Sequence, residues 1–368
     1  MKILRKLGKW ILIIIGSIIS LILIILLIIR INSSGVEEPF LDENGNVLPN
    51  SIAYHEDMVI NGAPQRVTIR GKDINNPVLL RVTGGPGAFH TPSANKVLGT
   101  DLEDLFTVCY WDQRGAGPAY NSSIPDSTLT LEQIVKDGLS VTRFLNEKFN
   151  QDKIYIEGLS WGTTVSAFMV QKHPELFKAY IGVGQMANQP LSEQMSFDFA
   201  MKEAQKHNDK ESIEQLNKIG RPPYPNMSNI EMAEACDVER LVVDKYAPYR
   251  FSPSFKQISG ILLDNGLSFK DKYGSVQYYG TYYPAYNILW PTCFNINLIR
   301  DVPEWKIPVY IIHGDNDHYT ETSLAKEYFD SLKAPEKKWF LIENATHAVT
   351  VEYPEKYRSI YVNEILKN

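Results

Sequence analysis

Hydrophobic positions fall into three regimes along the chain. The stretch Trp10 to Ile29 is uncharged, mostly Ile and Leu, and has no polar face. Twenty such residues at about 1.5 Å each reach about 30 Å, the thickness of a bilayer core. The pattern predicts a membrane-spanning helix over 10–31, after a basic segment at 1–9. Residues 32–50 are polar, carry Gly35, Pro39, Gly45 and Pro49, and read as a stalk. From residue 51 onward, short apolar runs alternate with stretches of helical period. Two strands are predicted between Ile52 and Arg70, around the turn Asn61-Gly-Ala-Pro64. Further strands are predicted at 77–82, 106–111, 153–156, 179–183, 307–312 and 338–342. Helices are predicted at 131–149, 163–171, 321–332 and 354–366. Such alternation predicts an α/β class, with a mostly parallel sheet covered by helices on both faces. It occupies 51–190 and 301–368. Residues 191–300 break the rhythm. They are helix-like, rich in Gln, Glu, Met and Tyr, and read as an inserted helical cap over the carboxyl ends of the strands.

Charge adds a topology. Lys2, Arg5, Lys6 and Lys9 precede the apolar stretch and only Arg30 directly follows it. The basic excess predicts a cytoplasmic N-terminus and an extracytoplasmic main domain. A cleaved signal peptide would have a shorter apolar region and a small-residue cleavage site, which Ile29-Arg-Ile-Asn-Ser-Ser-Gly35 lacks. An uncleaved anchor is therefore expected. The net charge of −6 over 368 residues lacks the basic surface a nucleic-acid partner needs. The three cysteines, Cys109, Cys236 and Cys293, show neither CxxC pairs nor metal-ligand spacing. Cys109 reads as a buried strand residue, and a bridge between Cys236 and Cys293 stays open. Neither metal nor cofactor is expected, and the oligomeric state stays open.

The candidate chemistry begins at Gly158-Leu-Ser-Trp-Gly162, a G-x-S-x-G between a strand run and a helix candidate. The strand-to-helix turn is tight, so the positions two before and two after Ser160 must lack side chains, and both are Gly. A serine needs a base. Of the seven histidines, only His347 directly follows the last predicted strand. The base needs an orienting acid. Asp315 and Asp317 both follow the strand ending at Ile312, and Asp317 is expected in that role, with Asp315 as a turn former. The order Ser160, Asp317, His347 is that of α/β-hydrolases. Gly84-Gly-Pro-Gly87 follows an early strand, and the N–H groups of Gly85 and Trp161 are the expected oxyanion donors. In Asp112-Gln-Arg-Gly115, Arg114 is expected to clamp a buried carboxylate, with substrate contact as the alternative.

Together, Gly84-Gly-Pro-Gly87, Asp112-Gln-Arg-Gly115, the serine motif, Asp317 and His347 resemble the prolyl aminopeptidase (proline iminopeptidase) branch of the α/β-hydrolases, over about residues 52–365. The resemblance implies release of an N-terminal residue, often proline, from short peptides, with no metal. It also implies acidic cap residues that hold the substrate's free amine; Glu193, Glu231, Glu234 and Asp237 are candidates, though each taken singly reads first as a solvated helix charge. Thr83 stands where that branch usually has His, and Leu159 where its elbow usually has Gly. Gly184-Gln-Met-Ala-Asn188 stands where Arg-Gly tends to follow the sixth strand. The triad survives these departures; a preference for proline does not follow from them. The expected function is a membrane-anchored serine hydrolase, an aminopeptidase acting on short-peptide or small-molecule substrates. A carboxylesterase or lipase-like enzyme with the same triad is the alternative, and a non-catalytic binding module the third. An acid at the pocket mouth would favour the peptide. The tyrosines between Tyr273 and Tyr286 are expected to line or pack the cap.

Overall fold

The computed structural model describes residues 2–89, 92–248, 259–260, 262–276 and 283–367. Eight strands form one sheet: β1 (Ile52–Ile60), β2 (Ala63–Gly71), β3 (Val78–Val82), β4 (Thr107–Asp112), β5 (Ile154–Leu159), β6 (Phe177–Val183), β7 (Val309–Gly314) and β8 (Lys337–Ile342). Their order is β1-β2-β4-β3-β5-β6-β7-β8. Only β2 runs against the rest, since it pairs antiparallel with β1 and β4 and every other pairing is parallel.

The strand sequences explain this arrangement. Side chains alternate across a sheet. Leu80, Val82, Cys109 and Trp111 enter the core on one face, and Leu79, Val108 and Tyr110 enter the core on the other. A strand buried on both faces reads as a nearly continuous apolar run, as β4 and β7 do, and β3 is broken only by Arg81, which pairs with buried Glu157 at 2.6 Å. Cys109 is a buried strand residue as expected, and all three cysteines are free and buried.

Helices cover both faces. The long helix α1 (Lys2–Ile31) precedes the sheet and α2 (Pro92–Leu98) lies between β3 and β4. The helix α3 (Leu131–Phe149) starts at Thr130, whose hydroxyl accepts from Gln133 N–H, and stops at left-handed Asn150. The helix α4 (Trp161–Lys172) is buried nearly all round because it fills the space behind the middle of the sheet. Between β6 and β7, in the stretch expected as a cap, lie α5 (Gln189–Lys206), α6 (Lys210–Ile219), α7 (Asn229–Tyr246), α8 (Phe269–Val276), α9 (Tyr283–Leu289) and the short α10 (Leu298–Asp301). After β7 comes α11 (Thr322–Ser331), and after β8 come α12 (Val349–Glu352) and α13 (Pro354–Ile360). The last predicted helix is thus shorter than expected, and the chain continues as a wider π turn over Tyr361–Ile365.

Lys6–Ile31 within α1 is long and apolar enough to cross a membrane, with mean hydropathy 3.4 and none of it buried. Residues 32–50 are largely exposed, as a stalk would be, but Ser33 and Glu37 are buried against the domain.

Candidate active site

Ser160 stands at the carboxyl end of β5, on the turn into α4. Its backbone sits at φ 53°, ψ −120°, a region that favours glycine and costs a serine about 1–3 kcal/mol. Neighbours hold it there. Its N–H donates to Val183 O at 2.9 Å, and its carbonyl accepts from the N–H and hydroxyl of Thr163. The two elbow glycines are steric necessities. A Cβ on Gly162 would lie 2.1 Å from Val82 O, and one on Gly158 would lie 2.5 Å from Gly162 O. Backbone cannot yield as a flexible side chain can. Gly162→Ala is therefore expected to cost about 3 kcal/mol or more, read as a lowered denaturation midpoint; an unchanged midpoint would contradict this packing.

Asp317 follows β7 and His347 follows β8, so both loops open at the end of the sheet that carries Ser160. His347 Nδ1 lies 2.8 Å from Asp317 Oδ2. The buried carboxylate has further donors: Oδ1 accepts from the N–H groups of Tyr319 and Thr320, both at 2.9 Å, and Oδ2 accepts from the Thr320 hydroxyl at 2.8 Å. Burial pushes this carboxyl upward, but His347, His313 and the Thr320 N–H outweigh it and hold the group well below the ordinary carboxylate range. An ionised Asp317 acts only as an acceptor, so the proton between the two residues belongs on Nδ1 and Nε2 keeps its lone pair.

His313, one of the histidines set aside in the sequence, is fully buried beneath this loop. Its Nδ1 accepts from Gln185 N–H at 3.1 Å and its Nε2 donates to Thr320 O at 2.9 Å. Burial lowers its pKa, so it is a neutral brace between the loops after β6 and β7. Gly184, at φ +58°, backs the pair: a Cβ there would lie 3.0 Å from His347 Cε1. Asp315 is separate, with Asn316 donating to it at 2.6 Å.

The glycine loop after β3 presses on the elbow. A Cβ on Gly84 would lie 3.1 Å from both Leu159 O and Ser160 Cβ, and Gly85 adopts φ 108°. Gln113 links this loop to the residue after the serine. Its amide donates to Thr83 O and Oγ1, both at 3.1 Å, and its oxygen accepts from Trp161 Nε1 at 3.2 Å. The sequence offered Gln113 only as part of a motif. Arg114 is the expected clamp: its guanidinium grips both oxygens of fully buried Asp137, at 2.8 and 3.2 Å.

A cavity of about 200 Å³ opens over Ser160. Gly85, Met186, Tyr319 and Thr320 line it from the core, and Asp237, Arg240, Tyr286 and Trp290 from the cap. Tyr319 also lies against His347, with ring centroids 5.0 Å apart, and the Thr320 hydroxyl lies 3.3 Å from His347 Nδ1, so two residues of the cavity wall touch the imidazole. Tyr286 stacks on Trp290 at 5.6 Å. Residues 277–282 of the tyrosine-rich stretch lie outside the described residues.

The four cap acids separate. Asp237 lines the cavity. Glu193 is buried and pairs with Arg240, which also binds Glu239 at 2.9 Å and lies 4.5 Å from the Tyr319 ring centre. Burial pushes Glu239 up to about 8, against the pull of Arg240. One oxygen each of Glu193 and Glu239 has no hydrogen-bond partner among the described residues. Glu231 instead completes a capping box with Ser228 at the start of α7. Glu234 lines a separate hollow between α6 and α7. Sequence reasoning missed Glu239 and Arg240, because nothing in the weakly amphipathic α7 signals which of its charges are buried.

Residues 77–354 match the family described as alpha/beta hydrolase fold. A "probable aminopeptidase YbaC" of Bacillus subtilis (strain 168) is 28% identical over 330 residues, covering 86% of this chain and 96% of the relative. The crystal structure of a proline iminopeptidase of Mycobacterium smegmatis superposes with a TM-score of 0.60 at 17% identity, covering 85% of this chain and 98% of that one. A proline iminopeptidase-related protein of Thermus thermophilus gives 0.55 at 17% identity, covering 84% and 96%. The chain therefore belongs to the α/β-hydrolase fold family and is similar to its aminopeptidases.

Proposed function

We propose that this chain is a membrane-anchored serine hydrolase that releases N-terminal residues from short peptides. Its N-terminus is cytoplasmic and its hydrolase domain lies on the far side of the membrane. Ser160 is the nucleophile, His347 the base, Asp317 the orienting acid, and the N–H groups of Gly85 and Trp161 the oxyanion donors. The observation that carries this reading is the His347–Asp317 contact of 2.8 Å, whose neighbours Tyr319 and Thr320 share a cavity wall with Ser160.

His347 Nε2 takes the Ser160 proton as Oγ attacks the carbonyl carbon. The carbonyl oxygen becomes an oxyanion between the two N–H groups. His347 then protonates the leaving amine, the C–N bond breaks, and an acyl-Ser160 ester remains. Water, deprotonated by the same imidazole, hydrolyses that ester and restores the serine.

The same triad suits an ester, so the cap decides the substrate. Asp237 puts a carboxylate on the cavity wall, beside the buried Glu193–Arg240 pair, and a carboxylate there suits an ammonium group. Stacked Tyr286 and Trp290 offer an apolar side to the residue being released. The test is a panel of aminoacyl and short-chain ester reporters on the purified chain. Free-amine reporters are expected to turn over above N-blocked ones and esters; the opposite order would favour the esterase. Asp237→Asn is expected to lower kcat/KM about ten- to hundred-fold for free-amine reporters, mainly through KM, and to spare blocked ones. An equal loss on both would remove Asp237 from amine recognition.

A further inference from the structure

The carboxyl end of α1 is closed by a side chain from the cap. Lys272, in α8, is only 2% exposed, and its ammonium donates to the carbonyl of Asn32, one residue past the helix. The last carbonyls of a helix lack partners and carry partial negative charge, so a cation there acts as a cap. Asn32 Nδ2 and Ser33 Oγ close the same turn by donating to Ile28 O and Ile29 O. The next residues are laced to the segment before α8. Ser34 bridges to Ser268, Val36 N–H donates to Asn265 O at 3.0 Å, and Asn265 donates to Glu38 at 2.9 Å. Glu37 then crosses to β2 and pairs with Arg70 at 2.8 Å, and Arg70 also holds Glu103 at 3.0 Å. A Cβ on Gly266 would lie 2.4 Å from the Glu37 carboxylate, so these segments touch directly.

This fastening leaves no slack between the helix and the domain. It also reaches the end of the sheet that carries Ser160. Asp271, beside Lys272, pairs with Arg66 at 3.0 Å, and Arg66 lies opposite Asp112, the last residue of β4.

Exposed apolar side chains lie on the fastened segments or close to them in the chain. Val36, Leu41, Val47, Leu263 and Tyr273 are 65, 55, 57, 44 and 59% exposed. Leu41 and Val47 are paired across a short hairpin. Single exposed apolar residues are ordinary on protein surfaces. These lie on the very segments that receive the exit of a helix of membrane length, and tyrosine favours the bilayer interface.

We propose that this surface rests in the lipid interface, so that anchor, residues 32–41 and hydrolase domain move as one body lying against the membrane. The inference depends on the anchor reading of α1 and is independent of the chemistry at Ser160. The test uses the full chain in nanodiscs of phosphatidylcholine and phosphatidylglycerol. A fluorophore is attached at Val47→Cys or Leu263→Cys, with Ile230→Cys on α7 as the control. The native cysteines are buried, so the introduced thiols take the label. Nitroxides on the lipid chains are expected to remove most of the emission at positions 47 and 263 and none at 230. If the chain stays in the discs and all three positions remain equally bright, the domain stands away from the membrane and the proposal falls. If the chain leaves the discs, the anchor reading falls first and takes this inference with it.

Discussion

Ser160→Ala is expected to lower kcat about a million-fold, with the remaining turnover supplied by the oxyanion donors and binding alone. On the transition-state scale that loss is about 8 kcal/mol. No other side chain can replace it, because the attacking oxygen must come from the residue at the elbow. KM should change little, since the hydroxyl adds little to ground-state binding. A fluorophosphonate should label the wild type at Ser160 and leave the alanine variant unlabelled. Ser160→Gly separates chemistry from folding. The native φ of 53° suits glycine, so relief of about 1–3 kcal/mol of strain works against the lost backbone rigidity of about 0.5–1 kcal/mol. The glycine variant should be inactive yet at least as stable as the wild type. Full activity or retained labelling in either variant would end the assignment of Ser160. A glycine variant that melts well below the wild type would end the strain argument.

Much of this arrangement was legible in the sequence because it depends on short-range constraints. Cys109 and Trp111 had to face one side of the sheet and Val108 and Tyr110 the other, since side chains alternate along a strand. The glycines around Ser160 report a turn too tight for any other residue. The meeting of His347 and Asp317 could be anticipated because each follows a strand whose apolar run is unmistakable. What stayed hidden depends on residues far apart in the chain. The burial of Glu37 requires Arg70 and Gly266, and that of Lys272 requires Asn32, 240 positions away. A polar stretch with two prolines looks like a stalk until its partners are known. The same holds for Glu239 and Arg240: charged residues on a helix look solvated, and only the packing of α5, α7 and the loop after β7 turns them inward.

Asp317→Asn should be the next most damaging change, at about ten-thousand-fold in kcat, the magnitude typical when a triad aspartate becomes an amide. The loss comes from a misplaced proton. The amide oxygen can still accept from the N–H groups of Tyr319 and Thr320, so the loop should keep its shape. The amide nitrogen would then face His347 Nδ1 as a donor and force the imidazole proton onto Nε2. A protonated Nε2 cannot take the proton of Ser160. KM should stay near the wild-type value, because Asp317 acts through His347. Stability offers a second readout that an uninvolved surface acid would not give. Asp317 is held well below the ordinary carboxylate range in the folded chain, so its ionised form stabilises the fold above about pH 4. That contribution is lost as pH falls through the depressed value, where the folded carboxylate must take up a proton. The wild type should therefore lead the asparagine variant in denaturation midpoint at pH 7, and the gap should narrow as the pH drops below about 4. A gap that stays constant with pH would mean the carboxylate is not charged in the native state, and the orienting role would then need another acid.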